Sequence, residues 1–358
     1  MRSPASRRPT VSVLVPSRNH AAFAEAAIDA VAAQTLPPDE LLVIDDGSTD
    51  GSPAVIERAL ARVAGIRTSL IVRPCRGISQ TRNDLAATAR GDVLAFLDSD
   101  DRYAPTRLAR LLDRPVDPDR FLACSGVSFH IEGEGPGEGD HARLPAAYRA
   151  RLAEAATLPT AGFALLRSNL AITASNIVVG RGLFERVGGF TPGLLISQDW
   201  DFLLRCLRFT EPVFVPEPLV EYRLHATNTS RNARGTAAGE IAAVFATFAD
   251  WCGTATDNPL APTPANWPRF FRLFAAVARL PDGSRLADHL PALTLVAPPS
   301  DAARPPRDAA AVEWLVAASA GNVAADTVTS DAANEAAPAE TPLAALWEAC
   351  RARWETQA

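Results

Sequence analysis

Three carboxylates stand within four positions at the end of an apolar run. The stretch AFLDSDDRY, residues 95–103, carries Asp98, Asp100 and Asp101 directly after residues typical of a buried strand. Carboxylates this close repel one another unless a cation or a hydrogen-bond donor lies between them. A divalent ion such as Mg²⁺ takes carboxylate and phosphate oxygens, so Asp100 and Asp101 could hold a metal and a nucleoside diphosphate. Turn and cap aspartates before a helix would look the same, and the stretch alone leaves both interpretations open.

A second acidic segment, DDGSTDGS at residues 45–52, also follows an apolar run. Asp-Gly and Ser-Thr-Asp are ordinary turn and helix-cap residues, and for the segment alone that interpretation is favoured. Because DSDD occurs in the same chain, however, a functional site shared by the two segments is favoured over two unrelated turns.

Strand-like apolar runs alternate with helical patterns through roughly the first hundred residues, which predicts a doubly wound α/β unit with a parallel sheet. The predicted strands cover residues 11–15, 41–45, 69–73 and 93–98, and the predicted helices cover 22–35, 53–64 and 78–89. Ligands of such sheets bind at the carboxyl ends of the strands. Those positions hold residues 16–19, Asp45 and Asp46, Arg73, and residues 98–101.

The rest of the chain has a less regular pattern. It predicts a helix over 105–112, a strand over 121–131, a mobile Gly-rich acidic loop over 132–140, a helix over 197–207 and paired short strands over 212–224. Beyond about residue 231 the chain is Ala-rich and helical in pattern, and a weakly hydrophobic stretch around 321–342 is expected to be partly disordered.

Composition narrows the class of protein. A chain of 358 residues with 47% hydrophobic content can bury a sizeable core, and its net charge of −6 argues against a nucleic-acid partner. The five cysteines form no C-x-x-C pair, so neither a disulfide framework nor a zinc cluster is predicted. Without a leader-like segment or an apolar run of about 18 residues, we expect a cytoplasmic protein, with peripheral contact at the inner face of a membrane left open.

Four segments, VSVLVPSRN, LLVIDDGSTDGS, RGISQTRND and GDVLAFLDSDD, in this order and spacing resemble the nucleotide-sugar domain of family-2 glycosyltransferases with the GT-A fold. The resemblance covers roughly residues 9–230, and the ordered set is more specific than any one motif. It implies an inverting transferase that uses a nucleoside-diphosphate sugar and a divalent metal ion, Mg²⁺ or Mn²⁺. It also implies an α/β fold with a mixed, mainly parallel sheet flanked by helices, and the Ala-rich region that follows is expected to add a C-terminal helical appendage.

The predicted domain boundaries follow from the extent of the resemblance. They give a flexible N-terminus over 1–9, a GT-A domain over 10–230 and an Ala-rich helical region over 231–358. Within the GT-A domain, residues 10–115 form the nucleotide-binding half and 116–230 the acceptor half. The C-terminal region could pack on the acceptor side, form a homodimer or contact a membrane surface.

The resemblance also assigns roles to residues. Those expected at the nucleotide sugar are Pro16, Arg18, Asp46, Arg82, Asp98, Asp100 and Trp200. Those expected at the metal are Asp100, Asp101 and His225, the last from the segment YRLHATNTS. Asp98 is expected to support the loop or bind the ribose, and Arg82 to approach the diphosphate or position the aspartates. A helix-surface arginine paired with a carboxylate and a structural histidine are the open alternatives for Arg82 and His225.

The segment SQDWDFLLR occupies the place of a Glu-Asp pair that opens a helix in the family, which makes Asp199 the expected general base. Gln198 departs from the usual glutamate and removes a negative charge beside that base. Without the resemblance, Asp199 or Asp201 would be interpreted as a helix cap. Trp200 could border the acceptor, since aromatic rings stack on sugars.

The sequence leaves two other functions open. In a nucleotide-sugar binding protein that has lost catalysis, the family's glutamate would not be needed, which would explain why Gln198 replaces it. A sugar nucleotidyltransferase ranks lower, because PSRNHAAF lacks the Gly-rich loop that holds a triphosphate. For the transferase, the expected acceptors are a glycan, a lipid-linked glycan or a protein, in the synthesis of bacterial surface glycans or glycoconjugates.

Overall fold

The structure is a computed structural model that describes residues 8–132, 143–228, 236–280 and 283–290. The expected mobile loop over 132–140 lies almost wholly outside the described residues. The expected disorder around 321–342 and most of the flexible N-terminus also lie outside them.

The N-terminal part is a series of strand-helix units, as predicted. Its elements are β1 (Val11–Ser17), α1 (Ala24–Ala32), β2 (Glu40–Asp46), α2 (Ser52–Leu60), β3 (Arg67–Arg73), α3 (Ile78–Thr88) and β4 (Val93–Phe96). Strands β1 to β4 pair in parallel in the order β3-β2-β1-β4. Every residue of β1, β2 and β4 is buried, which accounts for their continuous apolar runs.

The remaining elements extend this sheet and add helices. They are β5 (Arg102–Tyr103), α4 (Arg107–Leu111), β6 (Leu122–Ile131), α5 (Leu144–Ala155), α6 (Ala161–Arg167), β7 (Val178–Gly180), α7 (Arg181–Val187), α8 (Gln198–Cys206), β8 (Val213–Leu224), α9 (Ala237–Cys252), α10 (Pro268–Val277) and α11 (Leu286–His289). The sheet has the order β3-β2-β1-β4-β7-β6-β8-β5. Strand β7 is antiparallel to β4 and β6, β6 is parallel to β8, and β5 is antiparallel to β8. None of the helices in the described part of the chain is long and apolar enough to cross a membrane.

The prediction of two short strands over 212–224 is wrong, because β8 is one strand. Its pairing with β6 slips where Ser125 faces Val215 and Gly126 faces Pro218. A proline cannot donate to the ladder, so the prolines of this segment are accommodated at a bulge that leaves the strand continuous.

The described chain forms two compact units. The first falls within Met1–Tyr148, Leu170–Cys206 and Pro212–Glu240 and contains the sheet; the second falls within Arg149–Asn169, Leu207–Glu211 and Ile241–Ala358. The described elements of the second unit are helical, and Phe163 packs edge-to-face on Trp267, Phe270 and Phe274 there. The predicted domain boundary near residue 230 stays a prediction.

Strand pairing brings distant parts of the first unit to one edge of the sheet. The parallel strands β1, β2 and β4 end on the same side. Strand β5 runs antiparallel to β8 with Arg102 opposite Glu221. The residues that precede Arg102 therefore lie beside those that follow Glu221, so the end of β8 joins the ends of β1 and β4.

Candidate active site

The loop after β1 is held by the DDGSTDGS segment. Asn19 has a left-handed backbone with φ of 56°, a conformation that asparagine tolerates better than most residues. Its backbone N–H donates to Ser48 Oγ at 2.8 Å, and its side-chain oxygen accepts from the Thr49 N–H at 2.8 Å. The His20 N–H donates to Ser52 Oγ at 2.9 Å. The segment thus provides turn hydrogen bonds, as expected for it alone, and these bonds fix the position of His20.

Arg82 is buried and paired with Asp98. Its Nη2 donates to both carboxylate oxygens of Asp98, at 2.7 and 2.9 Å, and its guanidinium lies over the Phe190 ring. The backbone N–H of Asp98 donates to Ser175 Oγ at 2.9 Å. The open alternative for Arg82 was a helix-surface arginine paired with a carboxylate; the pairing is present, but the side chain is 2% exposed and does not lie on the surface. Of the two roles expected for Arg82, the geometry favours positioning Asp98, and a contact with a diphosphate stays a prediction.

Asp101 is directed into the protein. Its Oδ1 accepts from the Arg223 N–H at 3.0 Å, and its Oδ2 accepts from Ser175 Oγ at 2.5 Å and from Thr173 Oγ1 at 3.1 Å. Burial, reinforced by the charge of Asp100, raises the pKa of Asp101 well above its ordinary value. These contacts favour a structural role for this carboxylate. That Asp101 binds the metal stays a prediction, and none of these contacts supports it.

Asp100 faces two imidazoles. Its Oδ2 lies 3.0 Å from His225 Nε2 and 3.7 Å from His20 Nε2. Burial by itself would raise the pKa of Asp100, but the hydrogen bond from His225 and the nearby His20 together lower it. The structure therefore brings together two residues that were predicted at the metal, Asp100 and His225, with one that was not.

The ligand atoms of His20, Asp100 and His225 all lie within 4.8 Å of one another, which makes them the candidate metal cluster of the described residues. A carboxylate oxygen and imidazole nitrogens are ordinary ligands of divalent metals, so the donor set fits such an ion. His20 was not among the predicted site residues, because the strand-end positions after the first strand were taken to stop at Asn19. Its place in the same strand-end loop, one residue later, could have identified it.

The carboxylates at the end of β2 are held differently. Asp45 accepts from the Ser48 N–H at 2.9 Å and from Ser48 Oγ at 2.6 Å. Asp46 accepts from the backbone N–H groups of Arg76 and Gly77, each at 2.9 Å. Burial by itself would raise the pKa of Asp46, but these amides outweigh it and lower the pKa. A contact between Asp46 and a nucleotide base stays a prediction.

The remaining predicted nucleotide contacts lie in two places. Pro16 is buried in β1 opposite Ile44, and Arg18 is exposed just beyond that strand. Trp200 is buried in α8. Exposure at a strand end suits the role expected for Arg18, whereas the burial of Trp200 favours a core residue.

The expected base lies in the first turn of α8. Asp199 is buried, and its Oδ1 accepts from the Trp200 N–H at 2.7 Å. Burial raises the pKa of the Cys124 thiol on β6 to about 12, and the nearby Asp199 carboxylate contributes to this rise. The other carboxylate of the turn, Asp201, forms an ion pair with Arg205 at 2.6 Å. The role of Asp199 as the general base stays a prediction.

Comparison with known sequences identifies a family and relatives that match part of the chain. Residues 12–172 match the family model described as glycosyl transferase family 2. An uncharacterized glycosyltransferase of Nostoc sp. is 37% identical over 122 residues, which cover 34% of this chain and 36% of that protein. An uncharacterized glycosyltransferase of Haemophilus influenzae is 27% identical over 226 residues, which cover 62% of this chain and 70% of that protein.

Solved structures with a similar fold cover nearly the whole chain. The mannosyltransferase PcManGT from Pyrobaculum calidifontis, in complex with GDP-Man and Mn²⁺, superposes with a TM-score of 0.54 at 20% identity over 97% of this chain and 81% of that chain. TarS 1-349 from S. aureus, in complex with UDP-GlcNAc, gives 0.52 at 15% identity over 96% of this chain and 92% of that chain. These likenesses confirm the expected α/β fold of the GT-A type with its mixed, mainly parallel sheet.

Proposed function

We propose that the chain, whose residues 12–172 match the glycosyl transferase family 2 model, transfers a sugar from a nucleoside-diphosphate sugar to an acceptor hydroxyl with inversion of configuration. The observation that carries the proposal is the convergence of His20, Asp100 and His225 at the ends of three strands. Nearby, the buried Arg82 on α3 pairs with the half-buried Asp98, two residues before Asp100. Strand ends are where open α/β sheets bind ligands.

The residues after β4 would bind the donor. A divalent ion held by Asp100 and His225 would supply positive charge to the diphosphate leaving group. Asp98, held in place by both of its hydrogen bonds from Arg82, has the fixed orientation needed to accept from the ribose hydroxyls. Arg18 adds an exposed positive charge beyond β1. Because Asp98 is already held in place, its contact with the donor would be made on binding, without reorganisation during the reaction.

Asp199 would act as the general base. It would take the proton of the acceptor hydroxyl while the acceptor oxygen forms its bond to the anomeric carbon and the bond to the diphosphate oxygen breaks. A single displacement of this kind inverts the configuration and needs no covalent intermediate on the protein. The neutral Gln198 beside Asp199 removes the charge repulsion that a glutamate at this position would exert on the base.

The Asp199→Asn substitution tests this assignment. The amide cannot accept the proton, so we expect kcat to fall about 10²–10⁴-fold while the affinity for the nucleoside diphosphate changes less than about twofold. A thermal-shift panel of GDP- and UDP-sugars first identifies the donor, and release of the nucleoside diphosphate then reports turnover. The matched control is Asp250→Asn, at an exposed position on α9. Unchanged turnover in Asp199→Asn would contradict the role of base.

The impaired binding protein is the second candidate, and Gln198 is the observation that favours it. Its Oε1 is buried without a hydrogen-bond partner among the described residues. Single-turnover transfer separates the two functions, because a binding protein would hold the donor without consuming it. A sugar nucleotidyltransferase ranks below both candidates.

As the acceptor of the transferase we propose a glycan, a lipid-linked glycan or a protein in the synthesis of a bacterial surface glycan.

A further inference from the structure

We infer that His20 is a third protein ligand of the metal. The site would then offer two imidazole nitrogens and one carboxylate oxygen, and would select a first-row transition-metal ion such as Mn²⁺ or Co²⁺ over Mg²⁺. The inference rests on the proposed function and deepens it, because it names the class of ion that the same site takes.

The spacing of the three ligand atoms is close to that of a coordination shell. His225 Nε2 and His20 Nε2 lie 3.0 and 3.7 Å from the same oxygen, Asp100 Oδ2, and all three atoms lie within 4.8 Å of one another. Metal–ligand bonds of about 2.0–2.2 Å place neighbouring ligand atoms about 3–4 Å apart. His20 therefore needs no rearrangement of the backbone to join Asp100 and His225.

Both imidazoles are held by their outer nitrogens. His20 Nδ1 lies 2.8 Å from Ser99 Oγ, and His225 Nδ1 lies 2.8 Å from Thr227 Oγ1. A hydrogen bond at the outer nitrogen fixes the orientation of a ligating histidine and leaves the other nitrogen for the metal. Each ring thus presents Nε2 to the carboxylate of Asp100, which is the arrangement that metal sites use.

The backbone of His20 is also fixed by several contacts. Asn19 adopts a left-handed conformation directly before it, and Ser52 accepts from its N–H. The following N–H, of Ala21, donates to Asp50 at 3.0 Å. A loop held this firmly in an uncommon conformation indicates that the placement of His20 matters.

The donor set decides the choice of ion. Mg²⁺ prefers oxygen ligands and keeps much of its water, whereas imidazole nitrogens favour first-row transition metals. The second carboxylate that would have suited Mg²⁺, that of Asp101, is taken by Ser175, Thr173 and the Arg223 amide. For a site of this composition we expect the affinity to rise from Mg²⁺ to Mn²⁺ to Co²⁺.

Metal titrations of the full chain without any donor test the inference. Calorimetry with Mn²⁺, Co²⁺ and Mg²⁺ compares the wild type with His20→Ala, His20→Gln and the control His130→Ala, an exposed histidine on β6. We expect both His20 variants to lose at least about tenfold in affinity for Mn²⁺, and more for Co²⁺, since a ligand matters at least as much as its outer partners. Mg²⁺ affinity should change less than about threefold, and the control should match the wild type.

A spectroscopic measurement on the wild type does not depend on whether a variant folds. Pulsed EPR of bound Mn²⁺ should show nitrogen couplings from two imidazoles, and His20→Ala should reduce them to one. Couplings from a single imidazole in the wild type would overturn the inference, as would Mg²⁺ binding as tightly as Mn²⁺. If the protein transfers no sugar but the two-imidazole signal is present, the proposed function is wrong and the metal site is supported. If it transfers sugar but the signal shows one imidazole, the assignment of His20 as a ligand is wrong and the proposed function is unaffected.

Discussion

The ends of β2 and β4 both carry adjacent aspartates, yet the two ends hold them differently. At the end of β2, Asp46 accepts hydrogen bonds from the backbone amides of Arg76 and Gly77. After β4, Asp100 faces two imidazoles, from His20 and His225. The first carboxylate completes a turn of the backbone, whereas the second completes a cluster of side chains.

This difference separates structural acidic residues from candidate metal ligands. Backbone amides are fixed donors, and a carboxylate that accepts from them at both oxygens has fewer lone pairs left for a metal. Imidazoles can instead share a metal with the carboxylate that they face. The contrast recurs within the β4 end, because Asp101 resembles the β2 end in having its oxygens occupied by hydroxyls and the Arg223 amide.

The largest effect is expected from Asp100→Asn, which removes the carboxylate shared by the cluster. We expect transfer to fall about 10³-fold, because metal assistance to a leaving group contributes several kcal/mol. Mn²⁺ binding, followed by calorimetry, should weaken in parallel. Asp113→Asn, at an exposed site just after α4, is the matched control. Retained transfer and Mn²⁺ binding in Asp100→Asn would break the distinction between the two strand ends.

A smaller effect, on stability, is expected from Asp101→Ala. The substitution leaves Ser175 Oγ and the Arg223 N–H without their acceptor, so we expect a loss of about 2–4 kcal/mol in the free energy of unfolding. Urea denaturation measures this loss, and calorimetry at a temperature where the variant is folded should show Mn²⁺ affinity within about threefold of the wild type. A loss of Mn²⁺ affinity equal to that of Asp100→Asn would instead show that Asp101 is a metal ligand.

Much of the fold could be predicted because its signals are local. The apolar runs of β1, β2 and β4 are continuous since both faces of these strands are buried. The rule that ligands bind at strand ends then predicted a site at Asp100, and the family resemblance predicted His225 as part of it. Each of these steps needs only a short window of sequence or an ordered set of motifs.

What the sequence could not predict depends on contacts between distant segments. His20 is placed by Ser52, which lies 32 residues later in the chain. Asp100 and Asp101 are neighbours, and contacts with distant residues distinguish them: Asp101 accepts from Ser175 and the Arg223 amide, whereas Asp100 faces His225. Strand β5 has two residues, too few to show an alternating pattern.

The smallest effect is expected from Asp46→Asn at the β2 end. The amide keeps one acceptor oxygen but places an NH₂ group against a backbone donor, so we expect a loss of about 1–2 kcal/mol near neutral pH. Urea denaturation measures it, with Asp113→Asn as the control. Mn²⁺ affinity should match the wild type, and a loss of nucleotide affinity would support the predicted contact between Asp46 and the base.

The pH dependence of this loss sharpens the comparison. The pKa of Asp46 in the folded chain lies below its ordinary value of 3.8, so its stabilising contribution is complete above about pH 4 to 5 and disappears as the pH falls through the folded-state pKa. The stability difference between the wild type and Asp46→Asn should therefore stay constant from about pH 7 to 5 and shrink below about pH 4. A difference that persists unchanged at about pH 3 would mean that the amides stabilise the shape of the group and not its charge. Asp46 would then no longer be an example of a carboxylate whose charge is satisfied by the backbone, and the contrast with Asp100 would have to rest on metal binding alone.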